Sequence, residues 1–167
     1  TMENIPAEKL WSYSDLESTV RAHYKEPDFG LLKRAYNFAE NAHRDTKRYS
    51  GAPYIIHPIA TAVRLAEMEL PLSIVVAGLL HDVPEDTEIT IEEVRKEFGN
   101  EIGDMVAGVT KLSKVKYRGI ERYAENLRKM MMAMARDIRV IIIKIADRLH
   151  NLRTLHALPI EKRNRIA

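Results

Sequence analysis

A chain of 167 residues has the usual length of one domain, and 46% hydrophobic with 30% charged residues is an ordinary globular balance. It contains no cysteine, which rules out disulfides and thiolate metal sites and leaves His, Asp, Glu and Asn as metal donors. No apolar run reaches the roughly 18 residues of a membrane span and no signal-peptide pattern opens the chain, so no membrane partner and a cytoplasmic location are expected. The net charge of +2 conceals a split: 11 Lys and Arg against 19 Asp and Glu before Lys111, and 15 against 5 from there on. An acidic front half suits a cation and a basic back half suits an anion such as a phosphate, although solvated helix faces account for most of these charges.

The apolar spacing is helical almost throughout. Ser14 with Glu17 three residues on predicts a capping box. The following segment puts Leu31, Leu32, Ala35, Phe38, Ala39 and Ala42 on one stripe. Gly51 and Pro53 break the pattern in "RYSGAPYIIHP", and Pro58 fits the first turn of a helix running to about Glu69. An apolar helix from Ile74 to about Asp82 comes next. Thr90 and Glu93 predict a second capping box, with Gly99 as the stop. Helices are expected around 101–110 and 121–135, separated by the basic loop "SKVKYRG". The run "VIIIKI" reads at first like a buried strand. No breaker separates it from "ADRLHNLRTL", and Ile142, Ile145, Ala146, Leu149 and Leu152 continue at helical spacing, so one long buried helix is predicted. Met130, Met131, Met132 and Met134 read as core and its edge. Without repeats or linkers, residues 1–167 read as one all-α domain.

Three places carry residues that packing alone does not ask for. His57 opens a helix, His81-Asp82 closes another, and Asp147 lies midway along the most apolar helix of the chain. A carboxylate amid "IIIKIADRL" is costly unless paired with a cation. Taken singly, Asp147 reads as a salt bridge to a nearby Lys or Arg, and His57 and His81-Asp82 as helix-end caps or local ion pairs. Taken together, two imidazoles and two carboxylates form a mixed N/O set suited to Mn²⁺, Fe²⁺, Zn²⁺ or Mg²⁺. Four protein ligands leave room for water, where a hydrolysis would start. Arg148 and His150 are expected to point away from that site, His43 to be structural or supporting, and His156 to lie at the surface.

The blocks "RYSGAPYIIHP", "AGLLHDVPEDT", "FGNEIGDMVAGVTKL" and "AENLRKMMMAMARDIRVIIIKIADRLHNLRTL", in this order, closely resemble the hydrolase domain of the RelA/SpoT homologues, within the HD phosphohydrolase superfamily. The likeness runs over residues 28–167. It implies an all-α HD-domain helical bundle with a single metal site. It implies metal-dependent hydrolysis of the alarmones ppGpp and pppGpp at the 3′ position, giving GDP or GTP and pyrophosphate. The metal, usually Mn²⁺ in that family, is implied at His57, His81, Asp82 and Asp147. Glu85 and Asp86 match the carboxylates that orient and activate the attacking water. Arg48, Tyr49, Asn151 and Thr154 fall at positions that meet the nucleotide.

The chain departs from the family pattern in three places. Ala52 stands for a common Glu and Tyr49 for a frequent Lys. Pro84 stands for an aliphatic residue within the HD-to-ED segment, where it is expected to kink the turn and shift the carboxylates. The family's closing C-terminal helices are expected to be missing, which leaves apolar surface open to a homodimer. Two other functions fit the same residues: a catalytically silent alarmone-binding regulatory module, and a phosphohydrolase acting on another nucleotide such as NADPH. Nucleic-acid binding is not expected, because few aromatics interleave the basic residues.

Overall fold

The computed structural model describes residues 9–113 and 137–155, together with Glu125, Leu127, Arg128 and Met132. The described residues are helical, with one isolated bridge between Lys47 and Pro53. The helices are α1 (Tyr13–His23), α2 (Phe29–Ala42), α3 (Ile56–Glu67), α4 (Leu72–Leu80), α5 (Val83–Asp86), α6 (Ile91–Phe98), α7 (Asn100–Ser113) and α8 (Ile138–Arg153). None of them is long and apolar enough to cross a membrane. The predicted basic loop and the helix around 121–135 fall mostly outside the described residues, as does His156; Met132 is exposed.

The centre of the fold is α3 against α4. Every residue of α3 from Ile56 to Val63 is buried, as is every residue of α4 from Ile74 to Leu80. A helix that is apolar all round must be enclosed on every side. Accordingly, α3 also packs on α1 and α8, and α4 on α2, α7 and α8. The crossings depend on small residues. At Gly103 an added Cβ would lie 3.1 Å from the Arg95 Cα, so α6 and α7 meet backbone to backbone there.

Local signals place most boundaries. Thr90 and Glu93 form the predicted capping box, and Gly99 ends α6 at φ 91°, a left-handed conformation that suits glycine. The first capping box is displaced from its predicted place. Ser12 and Asp15 cap α1, with the Ser12 amide donating to Asp15 Oδ2 at 2.9 Å, whereas Ser14 and Glu17 lie inside the helix. Aspartate serves at N3 as glutamate does, and the frame that buries Leu16 and Val20 decides between the two candidates.

The single long helix predicted across "VIIIKI" and "ADRLHNLRTL" is present as α8, but its inward face differs from the predicted stripe. Val140, Ile141, Ile143, Ala146, Asp147 and His150 are buried, whereas Ile145, Leu149 and Leu152 are 55%, 42% and 42% exposed. The helix is turned so that Asp147 and His150 face the centre. Hydrophobicity alone would have turned it the other way.

Candidate metal centre

His57 enters the site from the first turn of α3, whose amide donates to Tyr54 O at 3.0 Å. His81 follows the last residue of α4 and Asp82 precedes the first of α5, so the pair occupies the break between two helices. Asp147 projects from the middle of α8. All four are buried, and one donor atom from each lies within 4.8 Å of the others, a compact N/O set sized for one cation. His57 Nε2 is 2.7 Å from Asp147 Oδ1 and 3.5 Å from Asp82 Oδ2; His81 Nε2 is 3.1 Å from Asp82 Oδ1 and 3.5 Å from Asp147 Oδ1.

The state of His81 tests whether these residues suit a metal. Its Nδ1–H donates to the Gly78 carbonyl at 2.6 Å, so in the neutral ring the lone pair is on Nε2. That Nε2 is fully buried, has no hydrogen-bond partner, and is turned toward the two carboxylates. A buried lone pair aimed at two carboxylates is a poor ion pair and a good ligand set. Burial alone would lower the His81 pKa, but the charges of Asp82 and Asp147 overcome it and lift it well above the usual histidine range. Burial likewise pushes the Asp82 and Asp147 carboxyls up, and the two imidazoles outweigh it, holding both below the carboxylate range.

Asp147 also makes the ion pair expected of it when read singly: Lys144 Nζ lies 2.6 Å from its Oδ2 and donates to Ser113 Oγ at 2.8 Å. The two readings of Asp147 therefore coexist, one oxygen for each. Asn151 Nδ2 donates to Asp147 Oδ1 at 3.2 Å.

Pro84 lies beyond the end of α4. The helix has already ended at Leu80, and Pro84 sits in the first turn of α5, where its missing N–H has no partner to lose. The Asp86 amide bonds to the Asp82 carbonyl at 2.9 Å, so Asp86 stands one turn above Asp82. Glu85 and Asp86 are exposed at the lip of the cluster. Partial desolvation, and then the charge of Asp82, raise both above the ordinary carboxylate range.

Two neighbours of the site were not foreseen. Tyr54 Oη donates to Asp82 Oδ2 at 2.9 Å, near enough to Asp86 to feel its charge. Burial, with the charges of Asp82 and Asp86, pushes its phenol far up and keeps it a donor. His150, expected to point elsewhere, is buried with its Nδ1 2.6 Å from His57 Nδ1, the two rings edge to edge with centroids 4.9 Å apart. Burial, and then the neighbouring His57, lower its pKa to about 3. Its spacing of three residues after Asp147 was the available signal, because it puts both on one face. His43 is buried against Tyr54 with ring centroids 4.6 Å apart, in keeping with a supporting role.

The nucleotide-facing candidates gather at one end of α8. Arg48 Nη2 donates to Thr154 Oγ1 at 2.8 Å, joining the loop before α3 to the C-cap of α8. Tyr49 stands 60% exposed beside it, and Asn151 is half-buried between Thr154 and Asp147. The loop is held by the Arg48 amide on the Ala52 carbonyl at 2.9 Å and by Gly51 at φ 85°.

Comparison with known proteins agrees with this geometry. The family model for the HD domain matches residues 35–167. The chain belongs to the HD-domain family. Within it, the similarity runs to the RelA/SpoT hydrolases. The bifunctional (p)ppGpp synthase/hydrolase SpoT of Escherichia coli is 46% identical over 159 residues, covering 95% of this chain and 23% of that protein. A probable guanosine-3′,5′-bis(diphosphate) 3′-pyrophosphohydrolase of Synechocystis is 51% identical over 138 residues, covering 82% of this chain and 18% of that protein. The chain thus spans about a fifth of these relatives. A solved metazoan orthologue of SpoT, described as hydrolysing ppGpp, superposes with a TM-score of 0.64 at 27% identity, covering 84% of this HD domain and 81% of that chain.

Proposed function

We propose that this HD domain hydrolyses ppGpp and pppGpp at the 3′ position, releasing pyrophosphate and leaving GDP or GTP. The observation that carries the reading is the buried His57, His81, Asp82 and Asp147 cluster with Glu85 and Asp86 open at its lip. Relatives named for this reaction over the same stretch support it.

The four residues would hold a divalent cation, and among the metals that accept two imidazoles and two carboxylates we take it to be Mn²⁺. Bound there, the cation supplies Lewis-acid activation of water and of the phosphoryl oxygens. Glu85 and Asp86, both raised above the usual carboxylate range, accept and steer the proton of the attacking water. The water oxygen bonds to phosphorus, the phosphorus–3′-oxygen bond breaks, and a proton returns to the ribose oxygen. Tyr54 holds Asp82 in place through its hydroxyl. Arg48 meets the nucleotide's negative charge, Tyr49 offers a ring face to the base, and Asn151 and Thr154 line the nucleoside end of α8. A nucleotide substrate and a cysteine-free chain agree with a cytoplasmic setting.

Release of pyrophosphate from ppGpp by the purified chain, with Mn²⁺ and then with chelator, tests the reading. Metal-dependent release is expected. Binding of ppGpp without release would leave a regulatory module, and release from NADPH instead would move the substrate to another nucleotide.

The pH dependence of metal binding has a definite sign. The His81 pKa lies well above the ordinary 6.5, so above pH 6.5 the cation must still displace a proton. Apparent Mn²⁺ affinity is therefore expected to rise with pH, by about tenfold per unit, until His81 loses its proton unaided. Stability in chelator runs the other way. A histidine raised on folding stabilises the protein fully below its unfolded value, and that contribution is lost as pH climbs through the folded value. Calorimetric titration with Mn²⁺ between pH 6 and 9, with melting curves in chelator, checks both directions. A flat affinity profile would contradict the assigned ligand.

A further inference from the structure

The geometry points to His150 as a positioning residue for the metal centre: its Nδ1 accepts the Nδ1–H of His57 and so presents the His57 Nε2 lone pair to the cation. The inference rests on the reading of the cluster as a metal site and concerns a side chain outside the ligand set.

The two Nδ1 atoms are 2.6 Å apart and buried. At that distance exactly one proton lies between them, since two would clash and none would set lone pair against lone pair. Which ring owns it follows from the other nitrogen of His57. Nε2 faces Asp147 Oδ1 at 2.7 Å and Asp82 Oδ2 at 3.5 Å, and it is the nitrogen that belongs to the ligand set. With a cation bound Nε2 carries no proton, so the neutral ring then holds its proton on Nδ1; without it, the 2.7 Å contact with Asp147 Oδ1 puts a proton on Nε2. His150 is then the acceptor, with its own proton on Nε2.

His81 shows the same arrangement with a different partner. Its Nδ1–H goes to the Gly78 carbonyl at 2.6 Å, and its Nε2 is left bare toward the carboxylates. Each imidazole therefore has its tautomer set from behind, one by a backbone carbonyl of its own helix and one by a side chain 93 residues away in sequence. His57 needs that remote partner. It stands in the first turn of α3, and the carbonyl three residues back, that of Tyr54, already accepts the His57 amide at 3.0 Å. The same helix α8 that supplies Asp147 supplies His150 three residues on, so ligand and positioner move together. The two rings meet edge to edge, 23° from parallel, so the bond between them also fixes the plane of His57.

Two variants separate acceptor from packing. His150→Phe keeps a flat ring beside His57 without the acceptor. His150→Asn places an amide oxygen near the lost Nδ1. Calorimetric titration with Mn²⁺ is expected to show a 10- to 100-fold weaker affinity for His150→Phe, the usual range for losing such a partner, and recovery to within a few-fold for His150→Asn. In ¹⁵N-histidine spectra of the Zn²⁺-loaded wild-type chain, His57 is expected to be protonated on Nδ1 and His150 on Nε2. Wild-type affinity in His150→Phe, failure of His150→Asn to recover, or a proton on His150 Nδ1 in the loaded protein would each overturn the inference while leaving the metal centre in place. If the wild-type chain itself binds neither Mn²⁺ nor Zn²⁺, the metal-centre reading fails first. The spectra decide the matter even where a variant does not fold.

Discussion

Asp82→Ala is expected to lower Mn²⁺ affinity and (p)ppGpp hydrolysis together, by on the order of 10³-fold or more. The side chain has three roles at once. It is one of the four groups proposed to hold the cation, it balances His81 at 3.1 Å, and it accepts from the Tyr54 hydroxyl at 2.9 Å. Removing it leaves His81, which is buried and lifted in pKa chiefly by this carboxylate's charge, without that balance. It also takes the acceptor from the Tyr54 hydroxyl. Metal-free Asp82→Ala should therefore melt below the metal-free parent, because a buried charge that loses its partner costs about 3–5 kcal/mol. Mn²⁺ titration, pyrophosphate release and melting curves of the two chains in chelator give three readouts of one change. Hydrolysis at the parental rate would remove the metal centre from the mechanism.

Glu85→Gln and Asp86→Asn should behave differently, and the contrast is the more informative result. Both carboxylates are exposed and outside the buried ligand set, so Mn²⁺ affinity is expected to stay within a few-fold of the parent. The rate should fall by about 10²–10⁴-fold in each, the usual worth of a positioned proton acceptor. The amides keep shape and hydrogen bonding but cannot take a proton at neutral pH. A lost rate with unchanged Mn²⁺ affinity would locate the defect in proton transfer. The double variant should be little worse than the worse single one if the pair acts as a unit. Measuring kcat and KM for ppGpp alongside Mn²⁺ affinity distinguishes the cases. A collapse of metal binding in either variant would reassign that carboxylate to the ligand set.

Asp147 and His150 show where sequence reasoning reaches and where it stops. Asp147 was conspicuous because an ionised carboxylate amid isoleucines must be paired. His150 was not conspicuous, because a histidine in "RLHN" is unremarkable and its partner lies on α3. The same limit explains the misjudged face of α8. Periodicity finds a helix, but several stripes on this one are apolar, and burial of Asp147 and His150 selected the less hydrophobic of them. The place of Pro84 shows a related limit. Whether a proline kinks a helix depends on where the helix has already ended, and Leu80 ends α4 before Pro84 can interrupt it.

The sequence by itself determined the helical class, the capping residues of α6, the breaks at Gly51 and Gly99, the exclusion of thiolate chemistry and the identities of the chemically costly residues. These are properties of near neighbours along the chain, where spacing, capping and composition act within a few residues. Tertiary packing alone brought the Tyr54 hydroxyl to Asp82 and stood His150 behind His57. Those contacts join α3, α5 and α8 and the loop before α3. They depend on the crossing of helices far apart in sequence, which the apolar enclosure of α3 and α4 fixes and no local pattern encodes.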